Sequence, residues 1–304
     1  MPIIVYSGEV LTFPIAPSTL KIAKCADLAC TSAGLSEIDP GIAAFTSGPS
    51  VTIGFNGFPF ISFGRRQVAG QPFTLTLMRC MDHACRVNNI VIATTESNLL
   101  HNTSIAIGAD GIPVVSYGVS GPSVKFVRCN ARECGTGIEP AIFVVENTFP
   151  TPQGGQNSIT IGNNGAPVIA YTVANGIQLV ICRLPACTGV NALRFITSNA
   201  EVSDPQVSIG VDGLPIIAYL NVSNPNDRRL MLVKCGGQDC AVMTSVSVDP
   251  TGRVLPRGVS VAIGADGLPV MAYADAIGQL PTNKEAVKVA KCGSSQCVPY
   301  WTRR

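Results

Sequence analysis

Apolar and polar residues alternate in short runs along the whole chain, and the runs recur in a fixed order. The clearest stretch reads Ser104-Ile105-Ala106-Ile107, then Gly108-Ala109-Asp110-Gly111, then Pro113-Val114-Val115-Ser116-Tyr117. Alternation with a period of two predicts half-buried strands, because successive side chains point to opposite faces. Asp-Gly suits the positive φ angles of a tight hairpin turn, and a proline is tolerated at the start of a strand. A third run, 123–129, ends in Cys129, and a fourth covers 141–145. Four antiparallel strands are therefore predicted for one unit.

The same unit returns along the chain as S-Φ-x-I-G-x-(D/N)-G-x-P-Φ-Φ-x-aromatic followed by Φ-x-x-C-x4-C, where Φ is apolar. Its glycines are Gly54, Gly108, Gly162, Gly210 and Gly264, and its first cysteines are Cys25, Cys80, Cys129, Cys182, Cys235 and Cys292. A period near 50 residues built from short strands and turns is the signature of a β-propeller. The expected fold is all-β: a six-bladed β-propeller with four antiparallel strands per blade, forming one domain over residues 1–304. The repeats are placed at 1–49, 50–103, 104–157, 158–205, 206–259 and 260–304. Blade 1 breaks the pattern, since it begins at Pro2 and lacks the S-Φ-x-I-G-x-D-G strand, and the last unit ends at Arg304 without supplying one. Blade 1 is expected to lack its innermost strand. A fragmentary chain and a strand lent by another subunit are the two further readings.

The twelve cysteines form six C-x4-C pairs: Cys25/Cys30, Cys80/Cys85, Cys129/Cys134, Cys182/Cys187, Cys235/Cys240 and Cys292/Cys297. Each lies between two apolar runs, so one disulfide per blade is expected, with the two cysteines facing each other across the end of a hairpin. A zinc site fits less well, because zinc pairs come with histidines or a second nearby pair and the chain has only 2 His. Six bridges imply an oxidising destination: secreted, periplasmic or cell-surface. No signal peptide is visible at the N-terminus. Charged residues make up 13% of the chain and the net charge is +2, with no basic stripe, which argues against a nucleic-acid partner. No apolar run is long enough for a membrane span.

Antiparallel order puts the Asp-Gly turns and the cysteine hairpins on one face, and the fourth-to-first linkers and second-to-third loops on the other. The first set is nearly identical from unit to unit, and the second diverges, as at 64–72, 118–122 and 274–284. Loops that vary on a fixed scaffold are where sites are built, so the variable face is the expected functional face. By the same logic a residue that recurs in every unit is architectural. Asn56, Asp110, Asn164, Asp212 and Asp266 read as turn residues, and Tyr6, Phe63, Tyr117, Tyr171, Tyr219 and Tyr273 as inter-blade packing. Asp39, Asn98, Asn147, Asn199 and Asp249 recur at the fourth-strand end and read as turn caps. Oxygen ligands of that kind would admit a divalent cation such as calcium, the one cofactor the sequence suggests.

Polar residues that break the pattern sit just before the innermost strands. His101, Asp204 and Arg257 are the catalytic candidates, for proton transfer, orientation or base action, and oxyanion binding respectively. Asn102, Gln156, Asn157 and Gln206 are the ligand-binding candidates. The alternative reading is that all seven are solvated loop residues. His83, inside the Cys80–Cys85 hairpin, is expected on the opposite face and exposed.

The repeats at 104–117, 260–273 and 20–30 resemble the tandem propeller repeats of uncharacterised secreted bacterial proteins, in which IGxDGxPVIAY and LKVAKC-x4-C recur. The resemblance implies the architecture and no activity. The sialidase-type Asp box, S-x-D-x-G-x-T-W, is absent, and Tyr300-Trp301-Thr302 matches the YWTD repeat only once. Two functions are expected from different classes. One is a module that binds a small molecule, glycan or protein on the variable face. The other is a hydrolase of esters, lactones or phosphoesters using a metal- or histidine-activated water, although G-x-S-x-G is missing.

Overall fold

A computed structural model describes residues 2–8, 19–27, 30–38, 45–66, 71–96, 100–119, 124–134, 141–146, 155–188, 191–198, 200–249, 254–277 and 284–297. The chain is all-β among them, a six-bladed β-propeller of six small antiparallel sheets. It divides into two compact units, 1–155 and 156–304, each holding three of the sheets.

In the first unit, blade 1 is β1 (Ile3–Gly8), β2 (Thr19–Cys25) and β3 (Ala33–Glu37). Blade 2 is β4 (Phe45–Ile53), β5 (Pro59–Arg66), β6 (Phe73–Cys80) and β7 (Asn88–Glu96). Blade 3 is β8 (Leu100–Ile107), β9 (Pro113–Val119), β10 (Val124–Arg128) and β11 (Ala141–Glu146). In the second unit, blade 4 is β12 (Asn157–Ile161), β13 (Pro167–Val173), β14 (Gly176–Ile181) and β15 (Ala192–Ser198). Blade 5 is β16 (Val202–Ile209), β17 (Pro215–Asn221), β18 (Arg229–Cys235) and β19 (Met243–Asp249). Blade 6 is β20 (Val254–Ile263), β21 (Pro269–Ile277) and β22 (Lys284–Lys291).

Strands pair in chain order within every sheet, so each blade is a simple meander. Among the described residues β1 is an edge strand with no first strand beside it, as expected. Residues 298–304, Trp301 among them, lie outside the described residues.

Burial follows position in the blade. The second strands β9 and β13 are buried at every residue, which explains their nearly continuous apolar reading. The outer strand β15 alternates more and less exposed positions. Blades stack face to face, so that apolar residues of a second strand press on the third strand of the blade before. Ile61 and Phe63 meet Leu20 and Ile22. Val115 and Tyr117 meet Leu75 and Leu77. Ile217 and Tyr219 meet Ile177 and Leu179, and Met271 and Tyr273 meet Leu230 and Leu232.

All six disulfides form as paired in the sequence: Cys25–Cys30, Cys80–Cys85, Cys129–Cys134, Cys182–Cys187, Cys235–Cys240 and Cys292–Cys297. Their Cα–Cα distances run from 4.5 Å for Cys292–Cys297 to 5.1 Å for Cys129–Cys134. The geometry nevertheless corrects the expectation of cysteines facing each other across two strands. Opposite Cys25, Cys80 and Cys235 stand Ala33, Asn88 and Met243, not Cys30, Cys85 and Cys240. The second cysteine instead sits in the turn with left-handed backbone. Its φ is 53° at Cys30, 55° at Cys85, 47° at Cys134, and 54° at each of Cys187, Cys240 and Cys297. Its N–H donates to the carbonyl three residues back: Cys30 to Asp27 at 3.3 Å, Cys85 to Asp82 at 3.1 Å, Cys187 to Leu184 at 2.8 Å and Cys240 to Gly237 at 3.0 Å. In this conformation a strand end and a turn five residues on come close enough to bridge, at a cost to a non-glycine residue of about 1–2 kcal/mol.

Candidate functional site

The Asp/Asn-Gly turns are scaffold, and one device serves all five. The Asn56, Asp110, Asn164, Asp212 and Asp266 side chains each accept a hydrogen bond through Oδ1 from the N–H two residues on. The second polar function then fastens the turn to the cysteine hairpin of the same blade. Where the residue is asparagine, its amide donates to the first cysteine's carbonyl: Asn56 to Cys80 at 3.4 Å and Asn164 to Cys182 at 3.1 Å. Where it is aspartate, its carboxylate pairs with the basic residue before that cysteine: Asp110 with Arg128, Asp212 with Lys234 and Asp266 with Lys291. Turns and hairpins therefore share one face. Burial works against the Asp110 and Asp212 carboxylates, yet these donors hold both below the ordinary aspartate range. His83 is on this face, exposed, with its ring edge-on to Phe58 at 5.0 Å.

A cleft of about 50 Å³ opens on the same face between blades 4 and 5, lined by Asn163, Asn164, Ile209, Pro215 and Gln238 among others. It is far smaller than the several hundred Å³ of a typical small-molecule site.

The pattern-breaking residues near the inner strands occupy one repeated position. In each unit the first strand of one blade lies against the first strand of the next. These strands start earlier than expected. A bulge interrupts β4 after Ser47, β8 after Leu100, β16 after Ser203 and β20 after Val254, and pairing resumes on its far side. His101, Asn102, Asp204 and Arg257 thus lie within strands rather than in linkers before them, a correction that follows from the bulges. Two residues before the aligned Ser50, Ser158, Gln206 and Ser260 stand Gly48, Gln156, Asp204 and Gly258. Gly48, Asp204 and Gly258 have φ of 49°, 50° and 77°. Asp204 therefore holds a conformation that two other blades give to glycine.

Three of these residues are joined in the second unit. Gln156 grips Asp204 twice: its Nε2 donates to Asp204 Oδ1 at 2.8 Å, and its Oε1 accepts from the Asp204 N–H at 2.7 Å. Asp204 Oδ2 in turn accepts from the Gly258 N–H at 2.5 Å. One side chain after another thus links blades 4, 5 and 6. Burial pushes the Asp204 carboxyl above its ordinary value, and the Gly258 N–H opposes this only in part. A second link runs beside it, where the Ser158 hydroxyl accepts from the Val207 N–H at 3.1 Å, as Ser50 does from Ile105 at 3.2 Å in the first unit.

Of the other candidates, Asn157 is buried in β12 and Gln206 is half-buried in β16. Asn102 is half-buried in β8. His101 and Arg257 are placed as backbone in β8 and β20, and their side chains lie outside the described residues, as do Asp39, Asn98, Asn147 and Asn199. No three His, Cys, Asp or Glu side chains converge as a metal site among the described residues.

The structure adds a cluster that sequence reasoning missed. On blade 3, Glu96 of the preceding blade accepts from the Tyr117 hydroxyl at 2.8 Å and from Lys125 Nζ at 2.7 Å. Blade 6 repeats this with Asp249, which accepts from the Tyr273 hydroxyl at 2.6 Å and has Lys288 Nζ at 3.6 Å. It then adds a second carboxylate, Asp275, paired with the same lysine and only 2% exposed. Asp275 Oδ1 is buried with no hydrogen-bond partner. Burial first, then the neighbouring Glu96 or Asp249, pushes both tyrosine hydroxyls far above the usual range, and the Asp275 carboxylate leads in raising Lys288. Val119 and Val173 fill the position of Asp275 in blades 3 and 4. Arg65 and Asn221 stand there in blades 2 and 5, so the position is polar in three of the six blades and the repeat alone does not single out Asp275.

No family model matches the chain, and no curated protein matches it. Solved structures do. A protein of unknown function from Dyadobacter fermentans is similar with a TM-score of 0.60 and 11% identity, over 87% of this chain and 83% of that one. Trypanosoma rangeli sialidase is similar with a TM-score of 0.59 and 11% identity, over 95% of this chain and 52% of that one. The Hadza microbial sialidase Hz136 is similar at 0.56 and 12%, over 90% and 64%. The chain spans about half the length of the first sialidase and under two thirds of the second. At these identities the likeness is one of fold.

Proposed function

We propose that this propeller is a binding module whose ligand, a glycan or a protein, is held by the variable loops opposite the cysteine hairpins. The observation that carries the reading is the Gln156–Asp204–Gly258 chain. The one catalytic candidate whose side chain is described spends both carboxylate oxygens on joining blades. A polar group used this way fixes the scaffold on which loops are displayed. The turn-and-hairpin face is likewise occupied by its own repeated bonds, whereas the opposite loops differ from blade to blade. One of them, between β17 and β18, exposes Asn224 and Asn226 beside a Ser223 hydroxyl bonded to Glu201 and an Asp227 paired with Arg229, where blade 4 has a two-residue turn, Ala174-Asn175. The disulfides fit work outside a reducing cytoplasm.

A glycan array with the intact protein tests this. Retention should disappear when residues 222–228 are replaced by Ala-Asn while thermal stability is kept; an array with no hit removes the glycan reading. A hydrolase is the second reading, favoured by the raised pKa of Asp204, since an acid titrating nearer neutrality suits proton transfer. Sialidases share the fold, but this chain has no Asp box. Turnover of chromogenic carboxyl- or phosphoesters that survives purification and falls in Asp204→Asn would replace the binding reading with this one; sensitivity to EDTA would add a metal.

A further inference from the structure

The sequence holds three Asn-Gly steps: Asn56-Gly57, Asn164-Gly165 and Asn175-Gly176. At such a step the glycine nitrogen can attack the carboxamide carbon of the asparagine, because glycine has no Cβ to screen the approach. A new C–N bond closes a five-membered imide. The bond to the side-chain nitrogen breaks, and that nitrogen takes the glycine amide proton and leaves as ammonia. One water then opens the imide at either carbonyl, giving aspartate or isoaspartate, in which the chain runs through the side-chain carbon. The following residue is glycine in all three steps, so the fold decides which of them reacts.

Two of the three carboxamides are locked at both ends. Asn56 accepts from the Phe58 N–H at 3.1 Å and donates to the Cys80 carbonyl at 3.4 Å. Asn164 accepts from the Ala166 N–H at 3.1 Å and donates to the Cys182 carbonyl at 3.1 Å. Either side chain must leave both partners before it can turn onto the glycine nitrogen. Asn175 stands exposed in the two-residue turn between β13 and β14, and its side chain has no hydrogen-bond partner among the described residues. The glycine nitrogens do not separate the three, since Gly57 and Gly165 donate to Gly54 and Gly162, and Gly176 pairs with Val173 at the hairpin end. Nor can the fold spare Gly176. A Cβ there would lie 2.0 Å from the Thr197 carbonyl oxygen, so packing against β15 keeps a glycine behind Asn175.

We propose that Asn175 is a site of spontaneous modification, deamidated in the folded protein to aspartate and isoaspartate, while Asn56 and Asn164 are preserved as amides by the turns they build. The change puts a carboxylate into the second-to-third loop of blade 4, on the variable face. The isomer also lengthens the two-residue turn by one backbone carbon. The site stands whether or not that face binds a ligand.

Folded protein held at mildly alkaline pH, then digested, reads the modification by mass spectrometry of each Asn-Gly peptide, with fragmentation separating isoaspartate from aspartate. The peptide holding Asn175 should convert at least about tenfold faster than those holding Asn56 and Asn164, because two hydrogen bonds must break first in the latter. In urea the three rates should converge, since the locks are gone. Asn175→Gln should abolish conversion at that step, as the larger imide ring closes far more slowly, and leave the other two unchanged. Conversion of Asn56 or Asn164 as fast as Asn175 in the folded protein would overturn the proposal. So would an Asn175 that converts in urea but not in the fold. Rates that stay equally far apart in urea would also overturn it, by making the local sequence the cause.

Discussion

At the residue scale, left-handed backbone is the recurring problem, and the chain solves it with cysteine as well as glycine. Each second cysteine holds a positive φ because the disulfide and the turn bond jointly require it. Removing the bridge at Cys80–Cys85 should therefore depend on what replaces the second residue. The pair Cys80→Ala with Cys85→Gly should be about 1 kcal/mol more stable than Cys80→Ala with Cys85→Ala, since glycine adopts this φ without steric cost. Urea unfolding of the two variants measures it, and equal midpoints would show that the turn relaxes once the bridge is gone. Asp204 poses the same problem with a different solution. Asp204→Ala should cost about 1–3 kcal/mol, because it leaves the half-buried Gln156 amide and the Gly258 N–H unpaired. Its pH dependence has a definite sign. A carboxyl raised by burial stabilises the fold fully below its unfolded value, near 4, and that contribution is lost as pH climbs through the higher folded value. The gap between wild type and Asp204→Ala should then be wider at pH 4 than at pH 7; a gap that widens upward would contradict the burial argument.

At the element scale, the blade-to-blade contacts combine an apolar body with a polar end. Tyr117 and Tyr273 fill the junction with their rings and reach the preceding blade with their hydroxyls. Tyr117→Phe keeps the ring but leaves Glu96 short of a donor in a buried place, and should cost about 1–3 kcal/mol by chemical denaturation. Asp275 argues the other way. It adds a second buried carboxylate to a lysine that Asp249 already approaches, with one oxygen unsatisfied. Asp275→Val, which copies blades 3 and 4, should be neutral or raise the unfolding temperature, because removing an imperfectly compensated buried charge is often stabilising. A drop of several degrees would mean that Lys288 depends on Asp275.

These elements also show what was legible beforehand. Strand order, the turns, the blade count and the cysteine pairs could be read, because each depends on local periodicity that the chain states again and again. The bulges could not. Whether Ser203-Asp204-Pro205-Gln206 continues β16 or precedes it depends on its register against β17 across a bulge, and no local signal encodes it. The left-handed turns at Cys30, Cys187 and Cys240 were hidden in the same way, since a C-x4-C spacing fixes which residues pair and not the backbone that carries them. The bond from Gln156 to Asp204 joins residues 48 apart, and the sequence placed both just before innermost strands without showing that they bind each other. The acid pair of blade 6 was hidden for another reason: Asp275 stands at a position that is also polar in blades 2 and 5, so the alignment of repeats does not set it apart.

At the scale of the whole molecule, stability is a sum of similar junctions rather than one core, and both acid and reductant should act on it blade by blade. Asp110, Asp212 and Asp266 are held below the ordinary value by partners that exist only in the fold. Their contribution is present above the unfolded value near 4 and disappears as pH falls through the lower folded ones, so unfolding temperature should drop steeply below about pH 4. A flat profile down to about pH 2 would dismiss these pairs as contributors. Reduction should remove on the order of 2 kcal/mol per short-loop bridge, less the strain each turn sheds.

Each bridge joins residues only 5 apart, within one blade, so no covalent tie crosses from blade to blade. The consequence appears under tension. Pulled from its ends, the chain has nothing stronger than side-chain packing and hydrogen bonds to keep neighbouring blades together, and it should yield in steps of one repeat. Each step releases about 50 residues, roughly 170 Å of contour, while a closed bridge conceals only about 15 Å of it. Force traces taken with and without reductant should therefore show nearly the same step length, differing in the force each step withstands.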